Sequence, residues 1–219
     1  MLQRLRPSAN QHLANLVALH EGPTALHLVL EYCDGMSLQR QLQKHGVGSG
    51  MEERRTAPLV RQLCAGLAHV HSLGIAHRDL KPSNVVFISS ADGSPRVKMV
   101  DFGFAIHCGG ERCHTKCGTP IYMAPEQNKA APSYFGQPVD CWALGAMLYE
   151  MLAGRPAFNG AGLAQIAQRI RTGSFEPWNT RAPVSTEAKG VVKWILNPDP
   201  TQRPSMQQIV EDPWVRQPE

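Results

Sequence analysis

The sequence predicts an α+β fold in which a few strands precede a larger helical region. Two observations carry this prediction. The β-rich runs end by Val100, and after Gly136 the apolar residues recur at helical spacing. Strands and helices are therefore segregated along the chain instead of alternating, which favours an α+β layout over a β–α–β one.

The first third of the chain contains two predicted strands and two predicted helices. Leu16–His20 and Ala25–Tyr32 are rich in strand-forming residues, and Ser37–Lys44 is expected to be a short helix capped by Ser37. After a glycine-rich loop, an amphipathic pattern predicts a helix of about five turns that ends at Gly74. Its apolar face consists of Leu59, Val60, Leu63, Leu67 and Val70.

The middle of the chain changes character before the helices take over. Val85–Ile88 and Arg96–Val100 are short β-rich runs joined by turn residues, which predicts a hairpin. From Gly103 to Pro125 no period is visible, and such a long aperiodic segment is typical of a functional loop. Proline and glycine then separate four predicted helices, at residues 138–153, 161–172, 184–195 and 204–213.

The composition is that of a globular protein and argues against several other classes. Of the 219 residues, 42% are apolar and 18% are charged, which is ordinary for a globular protein and argues against disorder or a collagen-like repeat. The net charge of +4 is not concentrated in one run, so we expect no nucleic acid partner.

The sequence also gives expectations about location. No stretch is apolar over the length of a bilayer span, and residues 1–10 lack the apolar region of a secretory signal. Six cysteines over this length do not make a disulfide scaffold. We therefore expect no membrane partner and a reducing, cytoplasmic location, with the nucleus as an alternative.

Three short motifs occur in a fixed order in the middle of the chain. Taken singly each is weak, because an aspartate in a loop is usually a turn or cap residue. Together, at workable spacings and each in a suitable element, they are specific. They are His77-Arg78-Asp79-Leu80-Lys81-Pro82-Ser83-Asn84, Asp101-Phe102-Gly103 and Ala124-Pro125-Glu126.

This combination resembles the eukaryotic-type serine/threonine protein kinases, and the end of the chain resembles their calcium/calmodulin-dependent-kinase-like group. The resemblance implies a protein kinase-like fold, mainly the helical C-terminal lobe with a remnant of the N-terminal lobe sheet. Residues 1–32 would be that remnant, with the end of a regulatory helix, two strands and the hinge. Residues 33–215 would be the large lobe and residues 216–219 a tail.

The implied reaction transfers the γ-phosphoryl group of ATP to a protein hydroxyl, with Mg²⁺ as the metal. Asp79 lies between a helix and a hairpin, where its carboxylate can orient the acceptor hydroxyl and take its proton. Lys81 would approach the transferred phosphate, and Asn84 and Asp101 offer the oxygen ligands that Mg²⁺ prefers. By the resemblance, the Thr119 hydroxyl would bridge Asp79 and Lys81; the alternative is that it merely caps a turn.

The nucleotide pocket is placed by the resemblance alone. Leu28–Cys33 resembles the strand and hinge that join the lobes, with Leu30 as gatekeeper and the backbone of Glu31 and Cys33 facing the adenine edge. Val86 would form part of the floor, although a plain edge strand is an alternative for the hinge. The implied nucleotide-binding residues are Leu30, Glu31, Cys33, Lys81, Ser83, Asn84, Val86 and Asp101.

Several further residues resemble structural positions of the family. Asp140 resembles a buried aspartate that holds the backbone of the catalytic loop. Glu126 and Arg203 resemble a buried ion pair that ties the end of the long loop to the last helices. His77 and Phe102 are expected to pack on each other and to take no part in proton transfer.

Regulation is expected in the segment 103–125, which is the activation loop of the resembled family. Arg78 precedes the catalytic Asp79, and in kinases with this arrangement the arginine often pairs with a phosphate on this loop. Thr115 lies where many such kinases carry that phosphate. A phosphate on Thr115 would place about −1.5 to −2 charges near Arg78, and an upstream activating kinase is the implied partner.

The same loop is rich in metal-binding residue types. A zinc site is one interpretation, but the spacing matches no common zinc pattern, so free thiols are expected. The residues are Cys108, Cys113 and Cys117, with His107 and His114.

Two motifs of the family are missing. No Gly-x-Gly-x-x-Gly and no Val-Ala-Ile-Lys precede residue 30. The chain is therefore expected to be either a fragment of an ordinary kinase or a short form that acts as a non-catalytic regulatory or scaffolding module. Intact Asp79, Lys81, Asn84 and Asp101 favour the first. In both cases we expect very low catalysis by this chain alone.

Overall fold

The order of elements in the computed structural model follows the predicted segregation of strands and helices. The structure describes residues 10–90 and 92–217, so the predicted remnant of a regulatory helix in residues 1–9 and the last two residues of the predicted tail lie outside the described residues. The strands are β1 (Leu16–Glu21), β2 (Leu26–Leu30), β3 (Ile75–Ala76), β4 (Val85–Ile88), β5 (Arg96–Met99) and β6 (Ile106–His107). The helices are α1 (Leu38–His45), α2 (Glu53–Ser72), α3 (Gly136–Ala153), α4 (Leu163–Thr172), α5 (Thr186–Ile195) and α6 (Met206–Glu211).

The described strands form three separate antiparallel pairs, β1 with β2, β3 with β6 and β4 with β5. The first pair is attached to the rest of the protein through the backbone that precedes it. Ala14 donates its N–H to the carbonyl of Met99 at 2.9 Å, and Met99 donates to the carbonyl of His12 at 2.8 Å. All five residues of β2 are exposed, although four of them are apolar.

The helix α3 forms the centre of the core. Almost every one of its residues is buried, as expected for a helix that is apolar on all sides. A Cβ on Gly145 would lie 2.6 Å from the side chain of Ile195, so the absence of a side chain there lets α3 and α5 approach closely. Among the described residues, no helix has both the length and the apolar character needed to cross a membrane.

The structure confirms the predicted helices and the predicted hairpin to within a few residues at each end. Ser37 caps α1 as expected, because its hydroxyl accepts a hydrogen bond from the N–H of Arg40. The segment 103–125 differs in part from the prediction, since it contains the strand β6 and a single 3-10 turn at Pro120–Tyr122. A strand of two residues is too short to produce a visible period in the sequence.

A buried ion pair joins the end of the activation loop to the C-terminal helices. The guanidinium of Arg203 donates to both carboxylate oxygens of Glu126, at 2.6 and 2.8 Å. The same guanidinium donates to the backbone carbonyls of Asn197, Pro138 and Pro198 and lies over a tryptophan ring of α3. Its donors are therefore satisfied, as a buried arginine requires.

We expect the substitution Arg203→Ala to lower the free energy of unfolding by about 3–5 kcal/mol, because it leaves the buried Glu126 carboxylate without a counter-ion. Urea denaturation at neutral pH measures the change. The control is Arg54→Ala, which removes a solvent-exposed ion pair with Glu52 and should cost less than about 1 kcal/mol. Equal losses in the two variants would contradict a special role for the buried pair.

Candidate active site

The loop that carries the motif at residues 77–84 is held in place by one carboxylate of α3, that of Asp140. His77 and Arg78 each donate a backbone N–H to an oxygen of Asp140, both at 2.8 Å. The His71 ring also contacts Asp140, at 2.8 Å. Burial opposes ionisation of Asp140, but these partners outweigh it and hold the pKa of the carboxyl below its usual range. The sequence analysis anticipated the backbone contacts but not His71.

This anchoring fixes an unfavourable backbone conformation beside Asp79. Arg78 has a φ of +64°, in the left-handed region, which costs a non-glycine residue about 1–3 kcal/mol. Its N–H is held by Asp140, and its side chain donates to the carbonyl of Phe104 at 2.9 Å and to the hydroxyl of Tyr134 at 3.3 Å. Hydrogen bonds therefore fix both the backbone and the side chain of Arg78.

Asp79, Lys81 and Thr119 form one hydrogen-bonded triangle. The Thr119 hydroxyl donates to Oδ1 of Asp79 at 2.8 Å, and the Lys81 ammonium donates to Oδ2 at 2.7 Å. The ammonium also donates to the Thr119 hydroxyl at 3.0 Å. The bridging geometry that the resemblance implied for Thr119 is present, because its hydroxyl lies between the other two side chains.

Asn84 and Asp101 are brought together by the hairpin β4–β5. The register pairs Val85 with Met99, and Val100 donates its N–H to the Asn84 carbonyl at 2.9 Å. Asn84 in turn donates its side-chain amide to the backbone carbonyl of Asp79 at 3.0 Å. Asn84 is therefore bonded to Asp79 directly, and the register places Asp101 next to the residue that bonds the Asn84 backbone.

The oxygens of Asn84 and Asp101 suit a hard cation. The amide nitrogen of Asn84 is committed to Asp79, and within the described part of the chain its oxygen has one partner, the Ser83 hydroxyl at 3.4 Å. Asp101 is exposed, accepts the N–H of Gly103 at 3.1 Å and has no ion-pair partner among the described residues. One carboxylate with one amide oxygen fits Mg²⁺, which takes its remaining ligands from water and phosphates.

The predicted packing of His77 and Phe102 is present. Their ring centroids are 4.8 Å apart and both side chains are buried. Nδ1 of His77 accepts the N–H of Asp79, so the ring proton lies on Nε2, which donates to the carbonyl of Val100 at 3.3 Å. The histidine therefore links the residue before Asp101 to the backbone of Asp79.

The predicted hinge residues lie beside the hairpin β4–β5, since the Glu31 carboxylate pairs with Lys98, the register partner of Val86. Leu30 ends β2, Glu31 and Cys33 follow it, and Val86 lies on β4. No hydrogen bond or ion pair among the described residues joins the hinge to Asp79, and the connection runs through the strands β4 and β5.

A cation that was not predicted from the sequence holds the predicted hinge. Lys98 on β5 is 6% exposed, and its ammonium pairs with the Glu31 carboxylate at 2.6 Å and donates to the carbonyl of Leu13 at 3.3 Å. Asn15 donates its backbone and side-chain N–H groups to the same carboxylate. Burial opposes ionisation of Glu31, but Lys98 and Asn15 outweigh it and lower its pKa. A lysine between Val97 and Met99 was the available signal.

The activation loop reaches Arg78 through a second residue that the sequence analysis missed. Tyr134 accepts a hydrogen bond from Arg78 and donates one to the backbone carbonyl of Thr115 at 2.7 Å. Thr115 itself is exposed. The six cysteines are free thiols, and among the described residues no group of three or more His, Cys, Asp or Glu side chains is arranged to hold a metal ion.

Comparisons with known proteins place the chain in a family. A model of the protein kinase domain matches residues 1–215. Aurora kinase C of Mus musculus is 32% identical over 194 residues, which cover 89% of this chain and 66% of the relative. Calcium/calmodulin-dependent protein kinase type 1B of Rattus norvegicus is 33% identical over 215 residues, which cover 96% of this chain and 60% of the relative. Calcium-dependent protein kinase 8 of Oryza sativa subsp. japonica is 35% identical over 219 residues, which cover 98% of this chain and 39% of the relative.

The chain belongs to the protein kinase family, and the resemblance to its calcium/calmodulin-dependent-kinase-like group is confirmed by two of these relatives. The fold is that of a protein kinase domain with a small sheet region before the helical lobe. The chain spans between about two fifths and two thirds of the length of the three relatives described above.

Replacing Glu31 with glutamine is expected to lower the free energy of unfolding by about 1–2 kcal/mol at neutral pH, because the bond to Lys98 loses a charge. The folded pKa of Glu31 lies below its ordinary value of 4.5, so this contribution is complete above that value and disappears as the pH falls through the folded pKa. Urea denaturation at a series of pH values from neutral to acid measures it. The difference between wild type and variant should close on acidification, and a difference that stays constant would argue against the ion pair.

Proposed function

We propose that this chain carries a serine/threonine protein kinase site, which transfers the γ-phosphoryl group of ATP to a hydroxyl of a protein substrate. The observation that carries the proposal is the Asp79–Lys81–Thr119 triangle, which Asn84 joins through its bond to the Asp79 carbonyl. The hairpin register places Asp101 directly after the residue that bonds the Asn84 carbonyl. A scaffold would need none of these contacts at one site. The names of the relatives support the same reaction class.

Asp79 is suited to receive the acceptor proton. Its carboxylate is buried, and each oxygen already accepts at least one hydrogen bond, so its orientation is fixed before an acceptor arrives. In the transfer, the acceptor oxygen forms a bond to the γ-phosphorus, the bond between that phosphorus and the bridging oxygen breaks, and ADP leaves. The hydroxyl proton passes to Asp79.

The negative charge of the transferred phosphoryl group would be neutralised by Lys81 and by a Mg²⁺ ion that Asn84 and Asp101 hold. The Lys81 ammonium, which is partly exposed, lies beside the acceptor position as a positive point charge. Asn84 and Asp101 would hold Mg²⁺, whose role is to neutralise phosphate charge and to fix the position of the phosphates. The nucleotide base would lie toward Leu30, Glu31, Cys33 and Val86.

The rate of transfer by this chain is proposed to be low. The 219 residues contain no Gly-x-Gly-x-x-Gly motif, so the loop that covers the phosphates in the family has no counterpart in this sequence. That observation keeps a second candidate open, a regulatory module of kinase-like fold that binds partners without transferring phosphate.

The substitution Asp79→Asn is expected to lower the rate of phosphoryl transfer by about 10²–10⁴-fold, because the amide keeps the shape of the carboxylate but cannot accept the acceptor proton. Transfer from radiolabelled ATP to dephosphorylated casein measures the rate. Nucleotide affinity should be retained, since Asn84 and Asp101 are unchanged.

The matched control is Asp92→Asn, an exposed aspartate in the hairpin turn that should leave transfer unchanged. A Mg²⁺-dependent thermal shift with ATP separates the two candidate functions. Wild-type protein that shows neither a thermal shift nor any transfer would overturn the kinase proposal and favour the binding module.

We also propose that an upstream kinase phosphorylates Thr115, because this threonine is exposed and Arg78 reaches its segment. A phosphate there would add charge-assisted hydrogen bonds to the arginine. Mass spectrometry of the active protein is expected to find phosphothreonine at this position, and Thr115→Ala should reduce transfer. Unchanged transfer by Thr115→Ala would end this idea.

A further inference from the structure

Tyr134 lies where the activation loop, the catalytic loop and the start of α3 meet. Its side chain is 2% exposed, and its hydroxyl has three partners. The hydroxyl donates to the carbonyl of Thr115 at 2.7 Å and accepts from the Arg78 guanidinium at 3.3 Å, with the Cys117 sulfur at 3.9 Å. A phenol has one proton, so the Thr115 carbonyl takes it and the other two partners face its lone pairs.

The phenol stays a donor over the physiological pH range. Burial raises the pKa of Tyr134, and this effect outweighs the opposing influence of Arg78. The hydrogen bond to the Thr115 carbonyl is therefore not lost by ionisation.

The backbone of Tyr134 holds the same loop a few residues earlier. Cys113 donates its N–H to the Tyr134 carbonyl at 2.7 Å, and Tyr134 donates to the Cys113 carbonyl at 3.1 Å. Next to this pair, Arg112 lies over the Phe135 ring at 4.6 Å and donates to the Ser133 carbonyl. The loop is therefore held at residue 112 by a side chain, at residue 113 by backbone hydrogen bonds, and at residues 115 and 117 by the Tyr134 hydroxyl.

The pinned segment leads directly to the acceptor side of the active site. Gly118 has a φ of +105°, and a Cβ there would lie 2.7 Å from the carbonyl of Arg78, so the loop passes against the catalytic loop at this point. The next residue is Thr119, whose hydroxyl bonds Asp79. Residues 113–119 are thus fixed on Tyr134 at one end and on Asp79 at the other.

We propose that Tyr134 is a positioning residue that uses its hydroxyl to hold residues 115–119 against the catalytic loop. Tyr134 acts through Thr119 and does not itself touch the reacting atoms. Its kinetic consequence rests on the proposed function, whereas its structural consequence does not.

A purely structural tyrosine offers a matched comparison. Tyr149 in α3 is also buried, and its hydroxyl also donates to backbone carbonyls, those of Glu176 and Pro177 at 3.0 and 3.2 Å. Among the described residues, its hydrogen bonds and ring contacts are with residues 175–178 and none is with residues 113–119. Tyr134→Phe and Tyr149→Phe therefore remove the same group from equally buried places, one on the activation loop and one away from it.

The first readout is the rate of tryptic cleavage after Lys116, with cleavage after the exposed Lys44 at the end of α1 as internal reference. We expect Tyr134→Phe to raise the ratio of the two rates about five- to tenfold, because one hydrogen bond that closes the segment is lost. Tyr149→Phe should leave the ratio unchanged. An unchanged ratio in Tyr134→Phe, or the same rise in both variants, would overturn the proposal.

The second readout is the split of the kinetic parameters in transfer to dephosphorylated casein. Tyr134→Phe is expected to raise the KM for the protein acceptor about three- to tenfold while the KM for ATP stays constant, because Thr119 borders the acceptor and not the base. A parallel rise in both constants would contradict the assignment. If wild type transfers no phosphate, the proposed function fails, and the tryptic ratio still decides the role of Tyr134.

Discussion

The carboxylate of Asp140 is the constraint on which the active site depends. It is fully buried on the central helix and accepts the N–H groups of His77 and Arg78, and it thereby holds a left-handed residue directly before Asp79. A buried carboxylate without such donors would be costly, so helix and loop stabilise each other. The hydrogen bond from the Arg78 N–H to Asp140 offsets the backbone strain at Arg78. The same bond fixes the backbone from which the Asp79 side chain extends.

Backbone hydrogen bonds and the short sequence distances between the motif residues position most of the remaining site. Asn84 bonds the Asp79 carbonyl, and the hairpin register carries Asp101 to the same end of the strands. His77 closes the arrangement by linking the N–H of Asp79 to the carbonyl of Val100. The polar groups are thus held in place before any substrate binds, which is where phosphoryl transfer gains most of its rate.

The parts of this structure that the sequence predicts are those with local signals. Helix α2 has a regular apolar face, Ser37 is a recognisable cap, and the motif residues lie close together in the chain. The position of Lys98 between two apolar strand residues is a weak signal and Tyr134 has none, because their partners are far away in sequence: Glu31 is 67 residues from Lys98, and Arg78 is 56 residues from Tyr134. An isolated lysine or tyrosine is usually explained by solvent or core packing, and its pairing depends on the tertiary fold.

The ion pair between Glu126 and Arg203 also bears on how the protein is made. The two residues are 77 positions apart, so during synthesis the carboxylate emerges from the ribosome long before the guanidinium that neutralises it. Burying Glu126 before then would leave a buried carboxylate without a counter-ion, which is costly. We therefore expect the C-terminal helices to dock late in co-translational folding.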